Sequence, residues 1–265
     1  MARPDFLTRY GPWALIAGAS EGLGAEFATQ LAAKGLNLFL IARRPEPLDA
    51  LRSRLIQDYK VEVRTMSLDL GRGDAAQVIE EATRYIDIGL FVYNAAVSLI
   101  GTYFEISLED HLNELAVNCR SPMILAYLLG QPMLKRGRGG MILMSSMSAF
   151  QGTPLVAHYG ATKAYNQVLA EGLWEELRSQ GIDVLASLPP PVKTPGYLSS
   201  APSKSMPALM PATVVSDALA ALGKRPTTVP GLTFRLASGF MQRILPRKAA
   251  IAVMSSATRG MYAKK

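Results

Sequence analysis

Short apolar runs recur along the chain and alternate with longer stretches of helical composition. Trp13–Ala17, Leu36–Ala42, Val61–Leu68, Leu90–Tyr93, Met141–Ser146 and Asp183–Leu188 have strand length. Most are too continuously apolar to have a solvated face, which predicts strands buried on both sides. Between them lie helical segments at about Ala25–Lys34, Pro47–Tyr59, Asp74–Ile86, Leu108–Lys135 and Tyr159–Gln180. Strands alternate with helices, without an internal repeat. That pattern predicts an α/β fold with a doubly wound parallel sheet, Rossmann-like, over residues 1–225. Residues 226–265 differ. Leu236, Ala237, Phe240, Met241 and Ile244 have helical spacing, Arg235, Gln242 and Arg243 face the other way, and Pro246 ends the segment. A second helical piece spans Lys248–Tyr262, so a partly amphipathic helical extension is expected there.

The links between strands and helices carry the candidate chemistry. Strand one runs into Gly18-Ala19-Ser20-Glu21-Gly22-Leu23-Gly24. Glycines permit a tight turn and close backbone approach, and the following helix offers unpaired N–H groups to a phosphate. Strand two ends at Ala42 and is followed by Arg43-Arg44, with no acid before Glu46. An acid at this point holds the ribose 2′-hydroxyl of NAD, whereas arginine suits the 2′-phosphate of NADP, so NADP(H) is favoured over NAD(H). The same arginines could simply solvate a loop. Asp69, followed by Leu70, is placed to accept from an adenine amino group or to cap the next helix. Asn94, which precedes Ala95 and Ala96, can fasten neighbouring strands. Asn118 lies in an apolar helical stretch and needs partners, either backbone groups or a water.

Tyr159 and Lys163 share one helix face, one turn apart. A nearby ammonium favours the phenolate; bringing a phenol from about 10 to about 7 takes about 4 kcal/mol of differential stabilisation. Ser146 lies thirteen residues before the tyrosine, at the C-terminal end of strand five, where open α/β sheets bind ligands. Pro189-Pro190-Pro191 breaks the chain before Val192-Lys193-Thr194-Pro195. Residues 196–210, rich in Ser, Pro and Met, are expected to form a mobile loop over a site.

In order and spacing, residues 10–195 resemble the short-chain dehydrogenase/reductase family. The family's Thr-Gly-x-x-x-Gly-x-Gly signature corresponds to Ala17–Gly24, and its Asn, Ser, Tyr and Lys tetrad to Asn118, Ser146, Tyr159 and Lys163. The resemblance implies that Tyr159 transfers a proton to or from a substrate oxygen and that Ser146 hydrogen-bonds that oxygen. It also implies that Lys163 binds the nicotinamide ribose and depresses the tyrosine pKa, and that Asn118 holds a relay water. It places the cofactor along Gly18, Ser20, Gly22, Leu23, Gly24, Arg43, Arg44, Asp69, Leu70, Asn94, Ala95, Tyr159, Lys163, Pro189, Val192 and Thr194. Four positions depart from the pattern: Ala17 for threonine, Ala96 and Pro190 for glycine, and Glu21 where NADP-preferring relatives are often basic. These are expected to lower cofactor affinity or reshape the nicotinamide pocket, Pro190 most of all. The expected activity is NADP(H)-dependent oxidoreduction of an apolar ketone, aldehyde or secondary alcohol. A nucleotide-binding regulator or scaffold with little turnover is the alternative.

Composition narrows the setting. The chain has 265 residues, 49% hydrophobic and 18% charged, which fits one large globular domain. Nine of the 28 Lys and Arg lie from Lys224 onward with no acid among them, leaving 19 bases against 21 acids elsewhere. The net charge of +7 therefore belongs to the tail, and a chain-wide nucleic-acid role is not expected. The tail could pack as a lid or subunit contact, rest on an anionic membrane surface, or receive an acidic acyl carrier. Family likeness implies a homodimer or homotetramer. Cys119 reads as a small buried hydrophobe. His111 and His158 read as incidental, with no metal site expected from ligand spacing. The expected location is cytoplasmic, with membrane association through the tail left open.

Overall fold

The computed structural model describes residues 5–199 and 207–262. Seven parallel strands form one sheet in the order β3-β2-β1-β4-β5-β6-β7. They are β1 Trp13–Ala17, β2 Asn37–Ala42, β3 Val63–Ser67, β4 Ile88–Tyr93, β5 Gly139–Met144, β6 Ile182–Ser187 and β7 Thr227–Thr228. Every residue of β1, β4, β5 and β6 is buried, as a parallel sheet covered on both faces requires. The helices are α1 Phe6–Tyr10, α2 Gly22–Ala32, α3 Pro45–Tyr59, α4 Ala75–Thr83, α5 Leu108–Leu115, α6 Ser121–Arg136, α7 Ala157–Leu177, α8 Pro195–Ser199, α9 Pro211–Ala221, α10 Leu232–Arg243 and α11 Arg247–Tyr262. Helices α2, α3 and α9 pack on one face over a core that includes Phe27, Leu31, Leu40, Leu55 and Val214. Helices α4, α6 and α7 pack on the other over Leu15, Phe91, Leu129, Met141 and Val184.

Three elements depart from the expected string. The single helix expected over Leu108–Lys135 is two, α5 and α6, joined by a π-type turn at Ala116–Arg120 with Asn118 at its centre. Residue 225 falls just before β7, whose Thr227 and Thr228 pair with Ala186 and Ser187, so the extension begins inside the sheet. The loop expected over 196–210 has helix α8 at its start and a bridge between Val192 and Leu209 at its end. Residues 200–206 lie outside the described residues.

Helix α1 was not legible in the apolar pattern, and it closes the N-terminal edge of the sheet. Asp183, inside the buried strand β6, accepts hydrogen bonds from Arg9 Nε at 2.5 Å and Tyr10 Oη at 2.6 Å. A carboxylate on a core strand is costly unless it is paired, and α1 supplies two donors to its Oδ2. Asp183→Ala leaves Arg9 and a buried phenol unpaired. It is expected to cost about 3 kcal/mol in urea unfolding, and Asp183→Asn distinctly less. Equal stability of Asp183→Ala and wild type would show that α1 does not anchor the sheet.

Candidate active site

The crevice opens where the order of strands across the sheet reverses, between β1 and β4. The amides of Gly18 and Ala19 bond to Ile41 O on the β2 side, and those of Asn94 and Ala95 bond to Ala17 O on the β4 side. Asn94 Nδ2 donates to Gly18 O at 2.8 Å, as expected of a residue that fastens two strands. Gly18 has φ +84°, and a Cβ there would stand 2.6 Å from Ala95 N. Gly24 packs α2 on the turn so closely that a Cβ would meet Gly18 O at 1.9 Å. Its role is helix packing; it does not line the crevice. Glu21, just before α2, makes no side-chain cap bond, so the first amides of α2 remain available to a phosphate.

One cavity of about 540 Å³ runs from Arg43, Arg44, Asp69 and Leu70 past Gly18, Ser20, Gly22 and Leu23 to Asn94, Ala95 and Thr194. A second, of about 300 Å³, continues it through Leu23, Asn94 and Thr194 to Ser146, Tyr159, Lys163, Pro189 and Val192. All the sequence-derived cofactor positions except Gly24 therefore line one crevice, as a dinucleotide requires. Arg44 pairs with Glu21 at 2.5 Å, both half exposed, which couples the acid at this position to the arginine expected to read a 2′-phosphate. Asp69 Oδ1 accepts from Gly71 N at 2.9 Å, so it holds its own turn while facing the adenine end. The three prolines 189–191 line the substrate end, where Pro189 O accepts from Met147 N.

Burial acts oppositely on the two central ionisable groups. It pushes the Tyr159 phenol up to about 12, opposed by the adjoining Ser146 hydroxyl, and it pulls the Lys163 ammonium down to about 8. Lys163 Nζ donates to Met144 O at 2.9 Å and stands 5.6 Å from the centre of the Tyr159 ring. In the protein alone, desolvation outweighs the depression of the tyrosine expected from the lysine. Ser146 Oγ accepts from Ser148 N, which leaves its hydrogen directed elsewhere.

The Asn118 side chain is held at both its oxygen and its nitrogen. Its Oδ1 accepts from Val97 N, and its Nδ2 donates to Val97 O and Thr162 Oγ1, all within 3.0 Å. It ties the 94–97 segment to α7 from the π turn, as one of its two expected roles requires, and it lines neither cavity. Cys119 is buried as expected, and burial pushes its thiol up to about 11.

The tail takes the first of its expected roles, while the two histidines escaped the sequence reading. Met254, Thr258, Met261 and Tyr262 of α11 wall the substrate end, and Arg247 binds Phe150 O, so the extension packs as a lid. Their i, i+4, i+7, i+8 spacing was the available signal. The histidines, expected to be incidental, face each other with Nδ1 atoms 2.9 Å apart beside buried Glu114. The missing signal was spatial, since α5 and α7 meet only in the fold.

A doubly wound sheet with a glycine-lined crevice ending at a serine, a tyrosine and a lysine defines a dinucleotide-dependent oxidoreductase. The family profile described as short chain dehydrogenase matches residues 12–203. The chain belongs to the short-chain dehydrogenase/reductase family and is an NAD(P)-dependent oxidoreductase. It is 32% identical over 231 residues to a 7beta-hydroxysteroid dehydrogenase of Clostridium sardiniense, covering 86% of this chain and 88% of that one. It is 34% identical to the "inactive hydroxysteroid dehydrogenase-like protein 1" of Rattus norvegicus, covering 71% of this chain and 58% of that longer protein. Among solved structures it is similar to a short-chain dehydrogenase from Sphingobium yanoikuyae in complex with NADPH. That likeness has a TM-score of 0.78 at 29% identity, over 89% of this chain and 97% of that one. Among the described residues, no helix is long and apolar enough to cross a membrane.

Proposed function

We propose that the chain is an NADP(H)-preferring dehydrogenase/reductase of bulky apolar ketones and secondary alcohols. The observation that carries this reading is that Ser146, Tyr159 and Lys163 share one cavity walled by Met144, Val156, Met254, Met261 and Tyr262. Such a wall suits a large apolar substrate with one oxygen to be held. The likeness to a hydroxysteroid dehydrogenase supports the same class.

When bound, a nicotinamide cofactor supplies or accepts the hydride. The residues of this chain do the rest. Gly18, Ser20, Gly22 and the start of α2 would take the pyrophosphate, Arg43 and Arg44 a 2′-phosphate, and Lys163 the nicotinamide ribose hydroxyls. In the reductive direction the Tyr159 Oη–H gives its proton to the carbonyl oxygen, and in oxidation the phenolate takes it back. The Ser146 hydroxyl donates to that oxygen and stabilises the charge that develops there. Helix α11 covers the pocket and excludes water from it.

The alternative, a nucleotide-binding regulator with little turnover, draws support from the inactive relative. Tyr159→Phe separates the two. Carbonyl reduction with NADPH is expected to fall about 10²–10⁴-fold while NADPH binding, followed by cofactor fluorescence, is retained. Turnover unaffected by the loss of the hydroxyl would remove Tyr159 from the chemistry.

Cofactor choice follows from the arginines at the mouth. Replacing Arg43 and Arg44 with alanine is expected to weaken NADPH by tenfold or more, on the order of one lost charge-assisted contact, and to leave NADH nearly unchanged. Glu21→Gln, which releases Arg44, is expected to tighten NADPH. Parallel losses for both cofactors would contradict NADP preference.

Exposed Leu112, Leu115, Met123, Tyr127, Tyr165 and Val168 lie on α5, α6 and α7, a set of apolar side chains suited to a second copy of the chain. A homo-oligomer built on this face predicts that Tyr127→Asp with Val168→Asp dissociates it in sedimentation velocity. A double variant that sediments like wild type would place the subunit contact elsewhere.

A further inference from the structure

Beside the catalytic helix, and outside the crevice, three potential ligands converge. His111 and Glu114 come from α5 and His158 from the first turn of α7, and their ligating atoms all lie within 4.8 Å of one another. His111 Nδ1 is 2.9 Å from His158 Nδ1, which is also 2.9 Å from Glu114 Oε2. The other His111 nitrogen, Nε2, lies 3.0 Å from Tyr103 O. A carbonyl can only accept. His111 therefore carries its proton on Nε2 and turns the Nδ1 lone pair toward His158.

Protons alone serve this arrangement badly. A hydrogen on His158 Nδ1 must be shared between two acceptors, His111 Nδ1 and Glu114 Oε2. Glu114 is 1% exposed; the Leu99 backbone amide approaches its carboxylate, and Oε1 makes no hydrogen bond of good geometry among the described residues. A buried, under-satisfied carboxylate beside two facing imidazoles suits a cation with several coordination positions. His158 Nδ1 lies 2.9 Å from each of the other two donors, the edge of a right-angled shell with bonds of about 2.0–2.1 Å. The three donors span up to 4.8 Å, so His111 and Glu114 must draw together around an ion. A tetrahedral shell needs about 3.3 Å between donors, which opens the two short pairs by a few tenths of an ångström and closes the outer pair by a side-chain rotation. The bond from His111 Nε2 to a backbone carbonyl is the outer contact that metal-bound histidines ordinarily make.

We propose that His111, Glu114 and His158 form a binding site for one divalent transition-metal ion of the zinc class. Two imidazoles and a carboxylate favour Zn²⁺, Co²⁺ or Ni²⁺ over Mg²⁺ or Ca²⁺. The His158 side chain is 21% exposed, which gives the ion an entry path and a solvent-facing coordination position. The ion joins α5 to the start of α7 and, through His111, to the Tyr103 turn. Its role is to brace this wall one residue from Tyr159. The site stands apart from the substrate reading above and is tested without it.

Untagged full-length protein, stripped with EDTA, is titrated with CoCl₂ and with ZnCl₂. Expected are a visible Co²⁺ ligand-field band saturating at one ion per chain and a rise in melting temperature. That rise should be on the order of 5–10 °C at a hundredfold excess over the dissociation constant. His111→Gln and His158→Gln are each expected to lose both signals. The chain contains two histidines in all, so X-ray absorption of the zinc form identifies the site in the wild-type protein, even if the variants fold poorly. Two imidazole ligands on zinc support the proposal; one or none overturns it. So does a wild-type protein that gives no Co²⁺ band, or binding undiminished in the folded histidine variants.

Discussion

The structure depends on how closely the backbone at the end of β1 approaches the backbone at the end of β4. Gly18 admits Ala95 to a distance that a side chain would forbid, while Ala17 O takes the amides of both Asn94 and Ala95. The same turn bonds back to Ile41 at the end of β2. Strand ends that diverge at this point leave the crevice, and the glycine turn forms its floor. Enlarging Gly18 would push the end of β4 away at Ala95, and enlarging Gly24 would pry α2 from the turn. Fold and binding site thus rest on one steric condition.

Desolvation is the second organising effect, and it acts against function unless it is compensated. Removal from water raises a phenol and lowers an ammonium, so Tyr159 and Lys163 are driven toward their neutral forms. Hydrogen bonds oppose this. Ser146 favours the phenolate, and Met144 O accepts from the ammonium. The pair sits at the junction of two cavities, where a bound dinucleotide and an apolar substrate would share its hydrogen-bonding capacity. The low dielectric that costs the free protein these charges would strengthen each such contact once made.

The basic tail reaches this site as an apolar wall. Met254, Met261 and Tyr262 face the cavity, while Leu232, Leu236, Phe240 and Ile244 on α10 stay exposed in a single row. Arg243 and Arg259 lie in the last turns of α10 and α11, where they complement the helix dipole, and Arg247 at the start of α11 donates to Phe150 O. The helical spacing visible from Leu236 to Ile244 was correct about helicity. It could not say which face would find a partner, because that depends on where the crevice lies.

Local chemistry was enough for the parts of this protein that local chemistry controls. Continuous apolar runs identified the core strands, glycines marked the turn after β1, and the spacing of Ser146, Tyr159 and Lys163 marked the site, since each property belongs to neighbours in the chain. Strand and helix boundaries moved by only a few residues. What required the fold was every contact between distant segments: Arg9 and Tyr10 on Asp183, Val97 on Asn118, α11 over Tyr159, and His111 and Glu114 against His158. Periodicity tells a side chain whether to be buried, and packing alone decides against what. Asn118 found its partners on Val97 and Thr162, and two histidines read as incidental became a cluster, because three-dimensional proximity sets the partners of a buried polar atom.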